Sequence, residues 1–169
     1  MDAQLAELLA ALAKAANDEG PAVEVLLDER SPNGWRIEYL APTDLPGFEQ
    51  PMAVVRTSGS TGRAKRTVLS VSALASSAQA TAEFLGFEGQ WLLALPVHYV
   101  AGLSVLTRSL FAGTKPVAMD TKGSFSATAF TEAANQMVES RRITSLVPTQ
   151  LARLLDNPAP ETLQALKRF

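Results

Sequence analysis

The sequence predicts an α/β fold in which a mostly parallel sheet is flanked by helices. Two observations carry this. Short apolar runs of strand length alternate with longer segments of helical periodicity through most of the chain. A loop rich in glycine and hydroxyl residues, Thr57–Lys65, directly follows one of the apolar runs. In α/β proteins the loops after strands are the ligand-binding positions.

The elements follow in order. Leu5, Leu8, Leu9 and Leu12 fall at helical spacing, so residues 3–16 form an amphipathic helix. Asn17-Asp18-Glu19-Gly20-Pro21 ends it. Val23 to Leu27 reads as a strand. Ser31-Pro32-Asn33-Gly34 is a turn, and Trp35 to Leu40 alternates as a second strand. Pro42 to Pro51 is a connector. Met52 to Val55 is a buried strand, and Thr67 to Leu69 a returning one. Ser70 or Ser72 caps an alanine-rich helix to about Leu85. The remaining strands are Trp91–Leu95, Lys115–Met119 and Ile143–Val147. The helices between and after them are Gly102–Phe111, Ala127–Glu139 and Thr149–Leu155.

Composition narrows the function. With 169 residues, 47% hydrophobic and 19% charged, the chain has the profile of a globular protein. It is long enough to bury about two-thirds of the surface that its unfolded form exposes. It has no cysteine, which excludes disulfides, thiolate metal sites and a cysteine nucleophile. One histidine, His98, gives no basis for a histidine-cluster metal site, and none is expected. No apolar run reaches the length of a membrane span, and the first residues lack the pattern of a secretion signal, so the cytoplasm is the expected location.

Net charge is −2 but unevenly spread: residues 1–55 hold ten acids and three bases, whereas residues 56–169 hold seven acids and twelve bases. The basic part begins beside the glycine-rich loop, which would attract an anion there unless the imbalance is simple scatter. The bases are not interleaved with aromatics, so nucleic acid is not an expected partner.

The loop reads Thr57-Ser58-Gly59-Ser60-Thr61-Gly62-Arg63-Ala64-Lys65. Glycines bring backbone N–H groups close to an anion, hydroxyls add donors, and the lysine adds charge. The pattern suits a polyphosphate; a flexible Gly/Ser loop is the bland alternative. It is not a Walker loop. Counted from Gly59, that motif would need glycine, lysine and a hydroxyl where Ala64, Lys65 and Arg66 stand.

A second candidate site runs from Leu95-Pro96-Val97-His98-Tyr99-Val100-Ala101-Gly102-Leu103 to Arg108-Ser109-Leu110-Phe111-Ala112-Gly113. His98 and Tyr99 either donate hydrogen bonds to a ligand or serve in packing. Arg108, among Leu103, Val105, Leu106 and Leu110, needs either a partner anion or an escape to solvent.

The run T-S-G-S-T-G-x-x-K resembles the acyl-adenylate-forming family, which includes acyl-CoA synthetases, luciferases and peptide-synthetase adenylation domains. The segment L-P-x-x-x-V-x-G with its downstream arginine, the stretch S-L-x-A-G, and Ser145-Leu146-Val147-Pro148-Thr149-Gln150-Leu151 look like the o-succinylbenzoate–CoA ligases of menaquinone synthesis. The resemblance covers about residues 52–155. It implies that Thr57, Ser58, Gly59, Ser60, Thr61, Gly62 and Lys65 bind the β- and γ-phosphates of ATP. It implies that His98, Tyr99, Gly102 and Arg108 bind the acyl substrate, with Arg108 on a carboxylate. ATP with Mg2+ and coenzyme A are the implied cosubstrates, with no intrinsic cofactor, and a small carboxylic acid is the implied partner.

Two positions depart from the family pattern. Ala64 stands where proline is usual, and His98-Tyr99 reverses the usual aromatic-then-histidine order. The family's Y-G-x-T-E stretch, ribose aspartate, hinge and C-terminal lysine are not found. Residues 1–51 are therefore expected to form an N-terminal helix and strand pair, and residues 52–169 a partial ATP/acyl-binding domain at the start of the large domain. The C-terminal domain is expected to be absent and the isolated chain inactive, with self-association through exposed surface. An acyl-CoA synthetase for another acid, and a non-catalytic phosphate-binding or assembly fragment, are the alternatives.

Overall fold

The computed structural model describes residues 2–58, 64–120, 123–156 and 158–169. The first helix, α1, spans Ala3–Ala16 and is capped by Asp2, whose carboxylate accepts from the Leu5 N–H. Strands β1 (Ala22–Leu27) and β2 (Trp35–Leu40) pair antiparallel through the predicted turn. A 3-10 turn, Pro42–Asp44, lies in the connector. Strands β3 (Pro51–Ser58) and β4 (Ala64–Ser70) follow, then helix α2 (Val71–Leu85), whose cap is Ser70. The second half alternates regularly: β5 (Gln90–Leu93), α3 (Val100–Phe111), β6 (Val117–Ala118), α4 (Ala127–Asn135), β7 (Arg142–Thr144), α5 (Pro148–Leu155) and α6 (Pro160–Leu166).

The strands form two sheets. The order β6-β5-β7 is parallel throughout, as the alternation with helices predicts. The order β2-β1-β3-β4 is mixed: β1 and β3 are parallel, and the two outer pairs antiparallel. Strand β5 explains the run Trp91-Leu92-Leu93-Ala94. Trp91 and Leu93 face the core built by α1, β1, β3 and α3, whereas Leu92 and Ala94 face a second core with Phe130, Met137 and Leu154. A strand covered on both sides is apolar without alternation.

The element boundaries differ from the sequence reading for local reasons. Helix α4 stops at Asn135, short of Glu139, where Arg142 takes carbonyls of the helix's last turn and of the residues that follow. Its guanidinium donates to the carbonyls of Ala134, Met137 and Glu139 at 3.0, 2.7 and 2.8 Å. Strand β7 ends at Thr144, short of Val147. Pro148 then holds Val147 extended and opens α5. Strand β5 ends at Leu93 because its ladder partners end there, although Ala94 and Leu95 stay buried. Strand β6 keeps only Val117 and Ala118 of the predicted Lys115–Met119.

Leu8, fully buried on α1, carries the contact between this helix and the mixed sheet. Leu8→Ala is expected to lower unfolding stability by about 2–5 kcal/mol in urea titration. Leu27→Ala, at a side chain 63% exposed, is expected to change it by less than about 0.5 kcal/mol.

Candidate functional site

The glycine-rich loop closes a β-hairpin. In the β3–β4 register Arg56 pairs with Arg66, Thr57 with Lys65, and Ser58 with Ala64. Five residues connect the paired ends. Gly59, Ser60, Thr61 and Gly62, four of the predicted phosphate-binding residues, lie outside the described residues together with Arg63. Of the other three, Thr57 and Lys65 face each other across the strands, and the Thr57 hydroxyl donates to the Lys65 carbonyl at 3.3 Å. Ser58 is the last residue of β3.

The cations at this end divide sharply. Glu24, on β1 and 1% exposed, accepts from Arg56 Nε at 2.8 Å and pairs with Arg66 Nη2 at 2.9 Å. Lys65 is exposed, and its ammonium makes no ion pair among the described residues. Lys65 is therefore the basic group of this strand pair without an acidic partner among the described residues, whereas the two arginines share one carboxylate and keep part of their side-chain surface exposed. Glu24 was not singled out by sequence reasoning. Its signal was present: one acid inside the apolar run Ala22–Leu27 must find a partner.

The second candidate segment divides in two. Pro96 and Tyr99 form the turn into α3, with the Tyr99 N–H donating to the Pro96 carbonyl and the Tyr99 carbonyl accepting from Leu103. Gly102 sits against this turn. A Cβ built there would lie 2.3 Å from the Pro96 carbonyl oxygen and 2.7 Å from that of Leu95. The glycine lets the helix start close to the strand end. His98 is half-buried and stacks at a tilt on exposed Tyr99, ring centres 4.2 Å apart. Its Nδ1 is buried without a hydrogen-bond partner. The imidazole borders an open cavity of about 480 Å³ with Trp35, Pro96 and Asn33.

Arg108 lies elsewhere, in a cleft of about 240 Å³ between α2 and α3. Its guanidinium carbon stands 5.3 Å above the Trp91 ring, and Nη2 reaches the Ser77 hydroxyl only at 3.5 Å. Arg108 Nε is buried with no partner, and burial lowers the guanidinium pKa. Phe87, Trp91, Phe111 and Ile143 supply the apolar walls, and Glu83 and Glu88 also border the cleft. His98 and Arg108 thus border different cavities. Among the described residues no group of three or more histidine, cysteine, aspartate or glutamate side chains could hold a metal ion, and no helix is long and apolar enough to cross a membrane.

A protein-family model described as AMP-binding enzyme matches residues 2–169. The chain belongs to the AMP-binding enzyme family. It is 45% identical over 106 residues to a probable 2-succinylbenzoate–CoA ligase of Mycobacterium tuberculosis, an alignment covering 63% of this chain and 28% of that protein. The o-succinylbenzoate CoA synthetase (MenE) of Bacillus subtilis, solved with the acyl-adenylate intermediate OSB-AMP, superposes with a TM-score of 0.56 at 30% identity. That match covers 66% of this chain and 29% of the synthetase. The same Bacillus subtilis synthetase with ATP and magnesium ion gives a TM-score of 0.56 at 28% identity, over 70% of this chain and 27% of the other. The chain therefore spans under a third of the length of these family members.

Two outcomes follow from the α3 turn. Gly102→Ala is expected to destabilise the fold by about 1–3 kcal/mol in urea titration, because backbone atoms, not a flexible side chain, occupy the space. Burial lowers the His98 pKa from its ordinary 6.5. The unfolded chain then takes up the proton more readily than the folded one. This contribution to stability is complete above pH 6.5 and is lost as pH falls through 6.5 towards the lowered value. Urea midpoints between about pH 7.5 and pH 5 should fall less steeply in His98→Gln than in the unmodified chain.

Proposed function

We propose that this chain supplies the phosphate-binding hairpin and the acyl-binding helix of an ATP-dependent acid–CoA ligase acting on o-succinylbenzoate in the cytoplasm. The observation that carries this reading is the 45% identity over 106 residues to a 2-succinylbenzoate–CoA ligase. The relative solved with OSB-AMP supports the acyl-adenylate route. In the first step a carboxylate oxygen of o-succinylbenzoate attacks the α-phosphorus of ATP, forming the acyl-adenylate and releasing pyrophosphate. In the second the thiol of coenzyme A attacks the acyl carbon, forming the thioester and releasing AMP and a proton.

The residues have distinct parts in this reading. Thr57, Ser58, Gly59, Ser60, Thr61 and Gly62 donate to the β- and γ-phosphate oxygens, and Lys65 offsets their charge. The pyrophosphate is thereby held as negative charge builds on it during the first step. Magnesium arrives with ATP as part of the substrate. Arg108 offers its unsatisfied Nε to the second carboxylate of the acid, and the aromatic walls of its cleft suit a benzene ring. His98, Tyr99 and Gly102 shape the turn that opens α3, the helix that carries Arg108. The second carboxylate is what makes Arg108 useful, so the reading favours this acid over a monocarboxylic one.

Calorimetry on the 169-residue chain tests both halves. Tripolyphosphate is expected to bind, and Lys65→Ala to weaken it by about 1–3 kcal/mol. Arg108→Ala is expected to weaken o-succinylbenzoate by a similar amount and to leave benzoate binding within about threefold. Equal losses for the two acids would contradict the role of Arg108, and unchanged tripolyphosphate affinity in Lys65→Ala would contradict that of the hairpin.

A further inference from the structure

We propose that Glu24 is a positioning residue for the phosphate loop, a buried clamp that ties the strand entering the loop and the strand leaving it to their neighbour β1. The proposal rests on the reading that this loop holds phosphates, and it adds a residue that no loop motif contains.

The geometry is specific. Glu24 belongs to β1 and lies beside Val54 of β3 in the parallel register. Arg56 is two residues further along β3, on the same face of the sheet, and Arg66 is its cross-strand partner on β4. The two carboxylate oxygens of Glu24 are shared out, Oε1 to Arg56 and Oε2 to Arg66. One carboxylate therefore spans three adjacent strands one residue before the Thr57–Lys65 pair. The Ser58–Ala64 pair follows, and the loop begins past it.

Strand alternation gives the clamp a second effect. Arg56 and Arg66 point to the face that carries Glu24, whereas Thr57 and Lys65 point to the opposite face. Three cations stand at the root of the loop, and the two arginines are drawn down onto the buried acid. Lys65 on the opposite face is left without an acidic partner among the described residues, while Arg56 and Arg66 are each held in one place by the acid. A buried ion pair adds little net stability over an apolar replacement, because desolvation offsets attraction. Glu24 has the better-attested use of such groups, which is to hold one arrangement. The sheet face around it is otherwise apolar enough to pack without a charge, with Ala22, Leu40, Leu45, Val54 and Val68 in one cluster.

The test combines amide hydrogen exchange with tripolyphosphate titration of the 169-residue chain. Glu24→Gln keeps the side-chain shape and removes the charge. Its Thr57 and Lys65 amides are expected to exchange about tenfold faster while those of α1 stay unchanged, and its tripolyphosphate Kd to rise about tenfold. Glu24→Asp should recover part of both. If Glu24→Gln does not fold, Arg56→Gln and Arg66→Gln each release one strand, and the faster exchange should be confined to the β3–β4 pair. Unchanged exchange at the hairpin, exchange raised equally through the whole chain, or unchanged tripolyphosphate affinity in a folded Glu24→Gln chain would each overturn the proposal. Failure of the unmodified chain to bind tripolyphosphate would overturn the phosphate reading beneath it, and the localised exchange change would still establish the clamp.

Discussion

A carboxylate removed from water stays charged only where cations or hydrogen-bond donors meet it, and in this molecule two arginines at the root of the glycine-rich loop fill that need. Glu24 lies inside a strand whose Ala22, Val23 and Val25 pack in apolar clusters. Its two partners come from two later strands, 32 and 42 positions further along the chain. The pairing fixes β3 and β4 to β1 at the point where the chain leaves the sheet to form the glycine-rich loop. Hydrogen bonds of the ladder set the spacing of those strands, and the ion pairs set which of their basic side chains remain available. Without the acid, nothing among the described ion pairs would hold the half-exposed Arg56 and Arg66 side chains in one place at the root of the loop.

The second organising constraint is the close approach at Gly102. Strand β5 is buried on both faces, so its end cannot drift, and α3 must begin within a few residues of it. Only a residue without a side chain lets the helix backbone pass the Leu95 and Pro96 carbonyls. The consequence is a helix held at one end by backbone contact and presenting Arg108 two turns later over Trp91. The guanidinium is desolvated on one side and unsatisfied at Nε, a combination suited to an incoming carboxylate. His98 takes the other direction from the same turn and borders a separate cavity.

Much of this was legible in the sequence, for reasons tied to local chemistry. The alternation of apolar runs and helical periods identified every strand of the parallel sheet, and of the two cap candidates, Ser70 and Ser72, Ser70 is the one that starts α2. The loop was recognisable because glycine, hydroxyl and lysine side chains have a joint meaning at that spacing. Other features depended on distant partners. The early end of α4 needed Arg142, whose three carbonyl partners lie three to eight residues before it. The return of the chain at Thr67–Leu69 was read from the sequence, but the pairing extends to Ser58 and Ala64, well into the hydroxyl-rich run, because the two strands support each other there. Glu24 and its arginines are separated by more than thirty residues, and no periodicity links them. The division of His98 and Arg108 between two cavities followed from the direction each side chain takes from one short segment, which spacing alone does not specify.

The central claim is that the hairpin between β3 and β4 is where this family member meets the phosphates of ATP. Backbone amide chemical shifts, followed by NMR as tripolyphosphate is added, test it most directly. The account predicts saturable shifts concentrated between Thr57 and Lys65, with smaller ones at Glu24 and its strand neighbours. Shifts concentrated in the cleft between α2 and α3, or scattered without saturation over the basic surface, would contradict it.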